Sequence, residues 1–445
     1  MNLVSFSVRT KGTGNFVRRL RTVFTRFGFS DSRTRKALHT VVGLLQEYDA
    51  SPTFFIPAIV LSRHPALLRK IASEGAEIGI HGYVHNDYRF LSIGEQYKQT
   101  SQAISVFKKE GIPYSGFRNP YLGWTKETLQ VFSALNFVYE SNEAVLHEVI
   151  DRERLPARLR DGYEKSLKLF SAIPCSIYAL RPHFEGELLR IPTSIPDDEM
   201  LFDRLRLKAG EIGEIWSKVM QHVYDLGGLY TLNIHPERGI LCKPALRQLL
   251  SYAHSRPLPV WTTCLQDIAQ WWKERRQFRW HITPSEEQRW QVEADCSPRA
   301  TVLARHLTVE DQSPADWFGV DSHVQAQRFT VRCVQWPGIG LSPQTPRQVA
   351  DFLQEQGYPV ARCSQEEREQ YALYLDMPEG FGATEEQQMQ ARCLLVEQIE
   401  QLRAPLLHFG CWPAGSRAAL SISGDIDSVT IQDFFLRILE VHRYA

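Results

Sequence analysis

Short apolar runs alternate with stretches of helical spacing through the first 270 or so residues. Leu3 to Val8, Pro52 to Pro57, Glu77 to Ile80, Gly116 to Arg118, Phe137 to Tyr139, Leu189 to Pro192, Gly228 to His235 and Val260 to Thr262 have strand length and composition. Between them, apolar residues recur at three- and four-residue steps. Leu38, Val41, Val42, Leu44 and Leu45 are the clearest set and predict a helix over Ala37 to Tyr48. Similar spacing predicts helices over Pro65 to Glu74, Tyr97 to Lys109, Thr125 to Ala134, Ile212 to Tyr224 and Leu246 to His254. Strands alternating with helices of this length form βαβ units on a parallel sheet. About seven such units favour a closed α/β barrel over an open sheet.

Beyond Trp272 the pattern changes. Lys273 to Trp290 is polar and reads as a connection between domains. The stretch that follows mixes short β-like runs (Phe329 to Trp336, Tyr371 to Leu375) with a helix at Pro346 to Glu355, an α+β texture. Glu385 to Arg403 has amphipathic helical spacing, and the chain closes with an apolar run into Asp425-Ile-Asp427 and a helix from Thr430. The expected organisation is a barrel over 1–272, a smaller α+β domain over 273–410, and a terminal strand and helix over 411–445.

Composition narrows the class without naming a function. At 445 residues, with 43% hydrophobic and 23% charged positions, the chain has globular proportions. Lys plus Arg equals Asp plus Glu at 51 each, so no basic face for nucleic acid is expected. The eight cysteines are scattered and contain no Cys-x2-Cys pair, which fits reduced thiols rather than a disulfide framework. No apolar run is long enough to span a membrane, and the first residues lack a signal-peptide layout. The expected setting is cytoplasmic.

Candidate chemistry gathers at strand ends, where parallel α/β barrels carry their catalytic groups. His81 and His85 follow the third strand at a four-residue spacing; if the chain turns helically there, both imidazoles share a face and can close on one ion. Arg118, with Asn119-Pro120-Tyr121, follows the fourth strand, Glu140 the fifth, and His235 a late one. Asp197 and Asp198 end another and could cap a helix or line the cleft. Two histidines for a metal, an arginine and a separate histidine make a hydrolase set. The ion polarises a carbonyl and acidifies its water, while a histidine protonates the leaving group.

In this order, His81-Gly-Tyr-Val-His85, Arg118-Asn-Pro-Tyr121 and Leu232-Asn-Ile-His235-Pro236 resemble the motifs of the NodB-homology polysaccharide deacetylases, carbohydrate esterase family 4. The resemblance covers roughly residues 1 to 270. It implies a deformed (β/α)7 barrel and a divalent ion, usually Zn2+, held by two histidines and an aspartate. The implied reaction is removal of an N- or O-acetyl group from a sugar or glycan precursor. By motif match, His81 and His85 would be metal ligands and Arg118 would orient the catalytic base. The backbone N–H of Tyr121 would face the oxyanion, and His235 would be the general acid.

One part of the pattern is missing where it belongs. The family's first motif is an aspartate pair on strand one, but here Ser7 and Arg9 stand in those positions, and neither can serve as base or metal ligand. A copy lies at the far end of the chain, where an apolar strand ends in Asp425-Ile-Asp427 and leads straight into a helix. Strand alternation puts both carboxylates on one side.

Three accounts follow: Asp425 acts as base and Asp427 as metal ligand within the chain; they do so in a neighbouring molecule of a homodimer; or the barrel is silent and binds carbohydrate only. Hydrolysis of another non-peptide C–N bond is the rival within the enzyme class. Glu140 is a candidate ion-pair partner for Arg118. Asn86 and Asp87 are candidates to support the histidines, with Asp87 a fallback third ligand.

Overall fold

The computed structural model describes residues 26–310 and 312–444. The strand expected at Leu3 to Val8, with Ser7 and Arg9, lies outside the described residues. From Ser32 onward, short buried strands alternate with amphipathic helices. The strands are β1 (Thr53–Ile56), β2 (Glu77–Ile80), β3 (Gly116–Phe117), β4 (Tyr139–Glu140), β5 (Ala144–Leu146), β6 (Ile173–Pro174), β7 (His183–Glu185), β8 (Leu188–Arg190), β9 (Thr193–Ile195), β10 (Leu229–Ile234) and β11 (Val260–Thr262). The helices are α1 (Ser32–Gln46), α2 (Ala58–Arg63), α3 (Pro65–Ser73), α4 (Ile93–Glu110), α5 (Lys126–Ala134), α6 (Ala157–Leu169), α7 (Ala209–Leu226), α8 (Gly239–His254) and α9 (Leu265–Arg275).

Local signals account for the helix limits. Ser92 and Glu95 form a reciprocal capping box at the start of α4, and Gly111 ends it at φ 67°. On α1, Leu38, Val41, Val42, Leu44 and Leu45 are all buried, as their spacing predicts.

The later region contributes β12 (Arg279–Glu286), β13 (Arg289–Asp295), β14 (Val302–Arg305), β15 (Thr308–Val309), β16 (Ala315–Asp316), β17 (Asp321–Val324), β18 (Arg328–Arg332), β19 (Trp336–Leu341), β20 (Val360–Arg362), β21 (Tyr371–Leu375) and β22 (Leu406–Phe409). With them are α10 (Arg347–Glu355) and α11 (Glu385–Glu400), in an α+β arrangement of three small sheets. The polar stretch from Lys273 to Trp290 is not a free connection. It is the last turn of α9 followed by the β12–β13 hairpin, whose Trp280↔Ala294 and Ile282↔Val292 pairs turn apolar side chains toward a shared core. Two-residue alternation inside a charged composition conceals this hairpin from a count of polar residues.

The last two elements, β23 (Ala418–Asp425) and α12 (Ile431–Tyr444), return to the beginning. The large sheet runs β6-β5-β9-β10-β23-β1-β2-β3-β4-β8-β7, with β11 also paired to β23. Its pairings are parallel apart from β7 with β8. The sheet curls around the core as an α/β half-barrel, the deformed form of a closed barrel. Every residue of β1, β2, β10 and β23 is buried, as expected of parallel strands covered on both faces.

Strand β23 therefore fills the gap between β10 and β1. It pairs with β11 from Ala418 to Leu420 and with β10 from Ala419 to Gly424, and its upper end pairs Ser423 with Thr53 and Asp425 with Phe55. The segment that delivers it is pinned by tryptophan. Trp412 is fully buried against Trp272, ring centres 5.3 Å apart, and donates from Nε1 to Gly227 O at 3.0 Å. Trp271 Nε1 donates to Cys411 O at 2.8 Å.

Candidate active site

Strand β2 stops at Ile80 and hands its next residue to the cleft, with the His81 amide still donating to Ile56 O at 3.0 Å. The segment from His81 to His85 is a loop rather than the helical turn that would give the four-residue spacing its simplest meaning. Gly82 sits at φ 81°, where a Cβ would meet Val84 O at 2.9 Å, and this left-handed turn brings the two imidazoles together. Their ring centres are 5.2 Å apart.

Asp427, two residues past the end of β23, meets both. Its Oδ1 lies 3.1 Å from His85 Nε2 and 3.6 Å from His81 Nε2, without hydrogen-bond geometry to either. Ligands about 2.0–2.1 Å from one tetrahedral ion stand roughly 3.3 Å apart, so these separations bracket what a shared ion needs. His81 Nδ1 is 2.7 Å from Arg118 O, which fixes its proton on Nδ1 and frees Nε2 toward the cleft. Asp427 Oδ2 accepts from Arg437 of α12 at 2.6 Å.

Charge states agree with a cation site. Burial lowers His85 below the ordinary histidine value, against the pull of Asp427. Burial alone would raise Asp427, but His85, Arg437 and His81 outweigh it and hold the carboxyl well below the usual range. Two imidazoles and one carboxylate are a fitting donor set for a divalent ion.

Beside this triad lies a second carboxylate. Asp425 accepts from Arg118 at 3.3 Å on Oδ1 and from Asn233 Nδ2 at 2.9 Å on Oδ2. Arg118 is fully buried over the face of Phe55 (4.4 Å) and saturated with acceptors: Ser141 O at 3.1 Å, Asn233 Oδ1 at 2.8 Å, Ser423 Oγ at 2.9 Å, Ser141 Oγ at 3.0 Å and Thr193 Oγ1 at 3.2 Å. Such a fork holds the carboxylate's orientation. Close approach is built in at Gly424, where a Cβ would meet Pro236 Cγ at 2.6 Å and Ile234 O at 2.9 Å.

His235 stands at the end of β10, its Nδ1 2.7 Å from Asp198 Oδ1. Burial would lower His235, yet Asp198 and Glu237 outweigh it and raise the imidazole well above its ordinary value. Asp198 is held down in turn by His235 and Arg238 against its own burial. Neighbouring Asp197 is pushed up to about 7 by burial and by Asp198, and it caps the following turn by accepting from Met200 N at 2.8 Å. Of the two sequence suggestions for this aspartate pair, the cap describes Asp197, while Asp198 is fully buried behind His235.

Tyr121 and Leu122 adopt left-handed φ of 59° and 54°, conformations that cost such residues about 1–3 kcal/mol each. The turn is braced by Asn119, whose amide donates to Asn142 Oδ1 and whose side chain donates to Gly123 O, both at 2.6 Å. It sets the Tyr121 ring edge-on to His85, 4.7 Å between centres.

Two expectations need correction. Glu140 does not pair with Arg118; it accepts from Arg190 at 2.8 Å and Asn142 at 2.6 Å, because Arg118 is already committed to the cleft side of the sheet. Asp87 is not a fallback ligand: it caps the turn Tyr88–Phe90 and binds Arg89 at 2.6 Å. Asn86 reaches Gln99 at 3.5 Å.

Asn233, Ser423 and Arg437 enter the site without a counterpart among the sequence-based candidates, as does the pairing of Asp198 with His235. Two-residue alternation held the signal for the first two, since Asn233 precedes His235 by two and Ser423 precedes Asp425 by two.

Residues 28–139 match the family model described as polysaccharide deacetylase. The similarity to polysaccharide deacetylases is thus carried by residues 28–139. Over 91 residues it is 29% identical to the peptidoglycan deacetylase-like protein FGM2 of Gibberella zeae, covering 20% of this chain and 27% of that protein. The chain thus spans about a quarter of the length of that curated relative. An assigned polysaccharide deacetylase structure from Mycobacterium smegmatis aligns at TM-score 0.42 and 21% identity, over 56% of this chain and 81% of that one. PuuE allantoinase aligns at TM-score 0.41 and 20% identity, over 53% and 72%. The match to the family model contains His81, His85, Arg118 and Tyr121; it ends before His235, Asp425 and Asp427.

Proposed function

We propose that this chain is a metal-dependent hydrolase that removes an acetyl group from an N-acetylated or O-acetylated sugar or glycan precursor. The observation that carries this reading is the convergence of His81, His85 and Asp427, with Asp427 Oδ1 within 3.6 Å of both imidazoles and Asp425 tethered alongside by Arg118. On this reading His81, His85 and Asp427 hold a divalent ion, Zn2+ by the chemistry of the donor set. That ion would supply Lewis acidity toward the acetyl carbonyl and lower the pKa of water.

The chain's own groups do the rest. Asp425 takes the proton from the attacking water, its reactive orientation held by Arg118 and Asn233. The amide of Tyr121 donates to the oxygen that gains negative charge. His235, kept protonated by Asp198, gives its proton to the departing sugar nitrogen or oxygen. The same set would serve any small amide, and the substrate is read as carbohydrate from the family match.

The test is acetate release from N-acetylglucosamine oligomers by zinc-loaded protein. Asp425→Asn should retain the metal and lose roughly 10²–10⁴-fold in kcat, the range for a general base. Absence of release by the wild-type protein across acetylated sugars, or full activity in the Asp425→Asn variant, would contradict the proposal.

A further inference from the structure

We propose that His147, Cys175 and His222 form a second metal site, for a thiophilic divalent ion of the zinc class. Their ligand atoms all lie within 4.8 Å of one another. Cys175 Sγ is 3.8 Å from His222 Nε2, and the His147 and His222 rings stand at 80° with centres 6.0 Å apart. A sulfur and a nitrogen bound to one tetrahedral zinc at about 2.3 and 2.05 Å would be roughly 3.5 Å apart. The cluster is therefore close to the spacing an ion would impose.

Two independent features build it. The β5–β6 pairing, Val145↔Ile173 and Leu146↔Pro174, sets the next residue of each strand, His147 and Cys175, side by side at the strand ends. Helix α7 then brings His222 across from the outside. His147 is 1% exposed, and neither ring nitrogen has a hydrogen-bond partner.

A thiol–imidazole hydrogen bond would explain Cys175 with His222 and leave His147 unexplained; one shared ion accounts for all three. Cys175 is half-buried and His222 exposed, so the ion would keep one side open to solvent. A thiolate with two imidazoles selects zinc-class ions over magnesium or calcium. Strands β9 and β10 separate β5 from β23, so this cluster is apart from the His81, His85 and Asp427 triad.

The experiment titrates Co2+ into the metal-free full-length protein and follows its absorption. The expected result is a thiolate-to-cobalt charge-transfer band that Zn2+ bleaches, and that both Cys175→Ser and His222→Ala abolish. His222 is exposed, so its variant keeps the fold. His85→Ala, which empties the other triad, should leave the band in place, so failure of one site is distinguishable from failure of the other. A wild-type protein with no thiolate band at saturating cobalt, or a band that survives both substitutions, would overturn the proposal.

Discussion

His235 shows how a single neighbour sets the state of a catalytic candidate. Left to burial it would be neutral, but Asp198 at 2.7 Å and Glu237 raise it well above the usual histidine value. A group with a raised pKa keeps its proton through neutral pH and loses it only on the alkaline side. Asp198→Asn removes the main opposing charge, so the alkaline limb of kcat/KM should move to lower pH by about one unit or more, about 1.4 kcal/mol. The pH–rate profile checks this, and an unchanged limb would mean that His235 does not carry the proton.

The sequence exposes residues of this kind unevenly. His81 and His85 announce themselves by spacing, and Arg118, Tyr121 and His235 by their places at strand ends. The roles of Asp198 and Asn233 do not, because they depend on which strands become neighbours. Glu140 illustrates the opposite error: strand-end position made it a partner for Arg118, but Arg190 occupies the adjoining strand β8 and takes it.

At the scale of elements, the C-terminal unit depends on two anchors. Trp412 ties the approach to β23 against Trp272 and the end of α7. Trp412→Ala should cost about 3–5 kcal/mol, as for other fully buried large aromatics, and should lower metal content along with stability. Chemical denaturation and metal analysis of one preparation test this; lost stability with full metal occupancy would separate the anchor from the site.

Asp433 anchors α12, accepting from Thr430 N at 3.0 Å and lying 2.7 Å from His64 Nε2 and 3.1 Å from Arg63. Burial would raise its carboxyl, but His64, Thr430 and Arg63 bring it down from 3.8 to about 2. A carboxyl depressed on folding contributes fully above its unfolded value, and that stability is lost as pH falls from about 4 to about 2. Asp433→Asn should cost about 1–3 kcal/mol at neutral pH and flatten the acid dependence in that window. Denaturation midpoints at neutral and acid pH give the comparison. The β12–β13 hairpin was hidden by its charge, whereas β1, β2, β10 and the main helices were legible because their apolar spacing is what buries them.

Across the whole molecule, the order of elements in space differs from their order in the chain. The strand bearing Asp425-x-Asp427 comes last in sequence and lies in the middle of the sheet, between β10 and β1. An apolar strand ending in this motif and leading into a helix was readable; its position was not, since parallel pairing across the intervening α+β region leaves no mark in local pattern. Among the described residues, no helix is long and apolar enough to cross a membrane.

The intervening region has a structural consequence of its own. By packing Val292, Val331 and Phe409 with Trp271, Trp272 and Trp412 in one core, it holds β23 where two carboxylates can reach histidines from the other end of the chain.

The most direct test of this arrangement is the metal content of Asp427→Asn and Asp427→Ala, measured by elemental analysis after zinc loading and dialysis, in protein whose Cys175 is replaced by Ser. The account predicts about one zinc per chain in the parent and a loss of about 10-fold or more in affinity in both variants, with the fold intact by circular dichroism. Unchanged zinc stoichiometry and affinity in the Asp427 variants would contradict it.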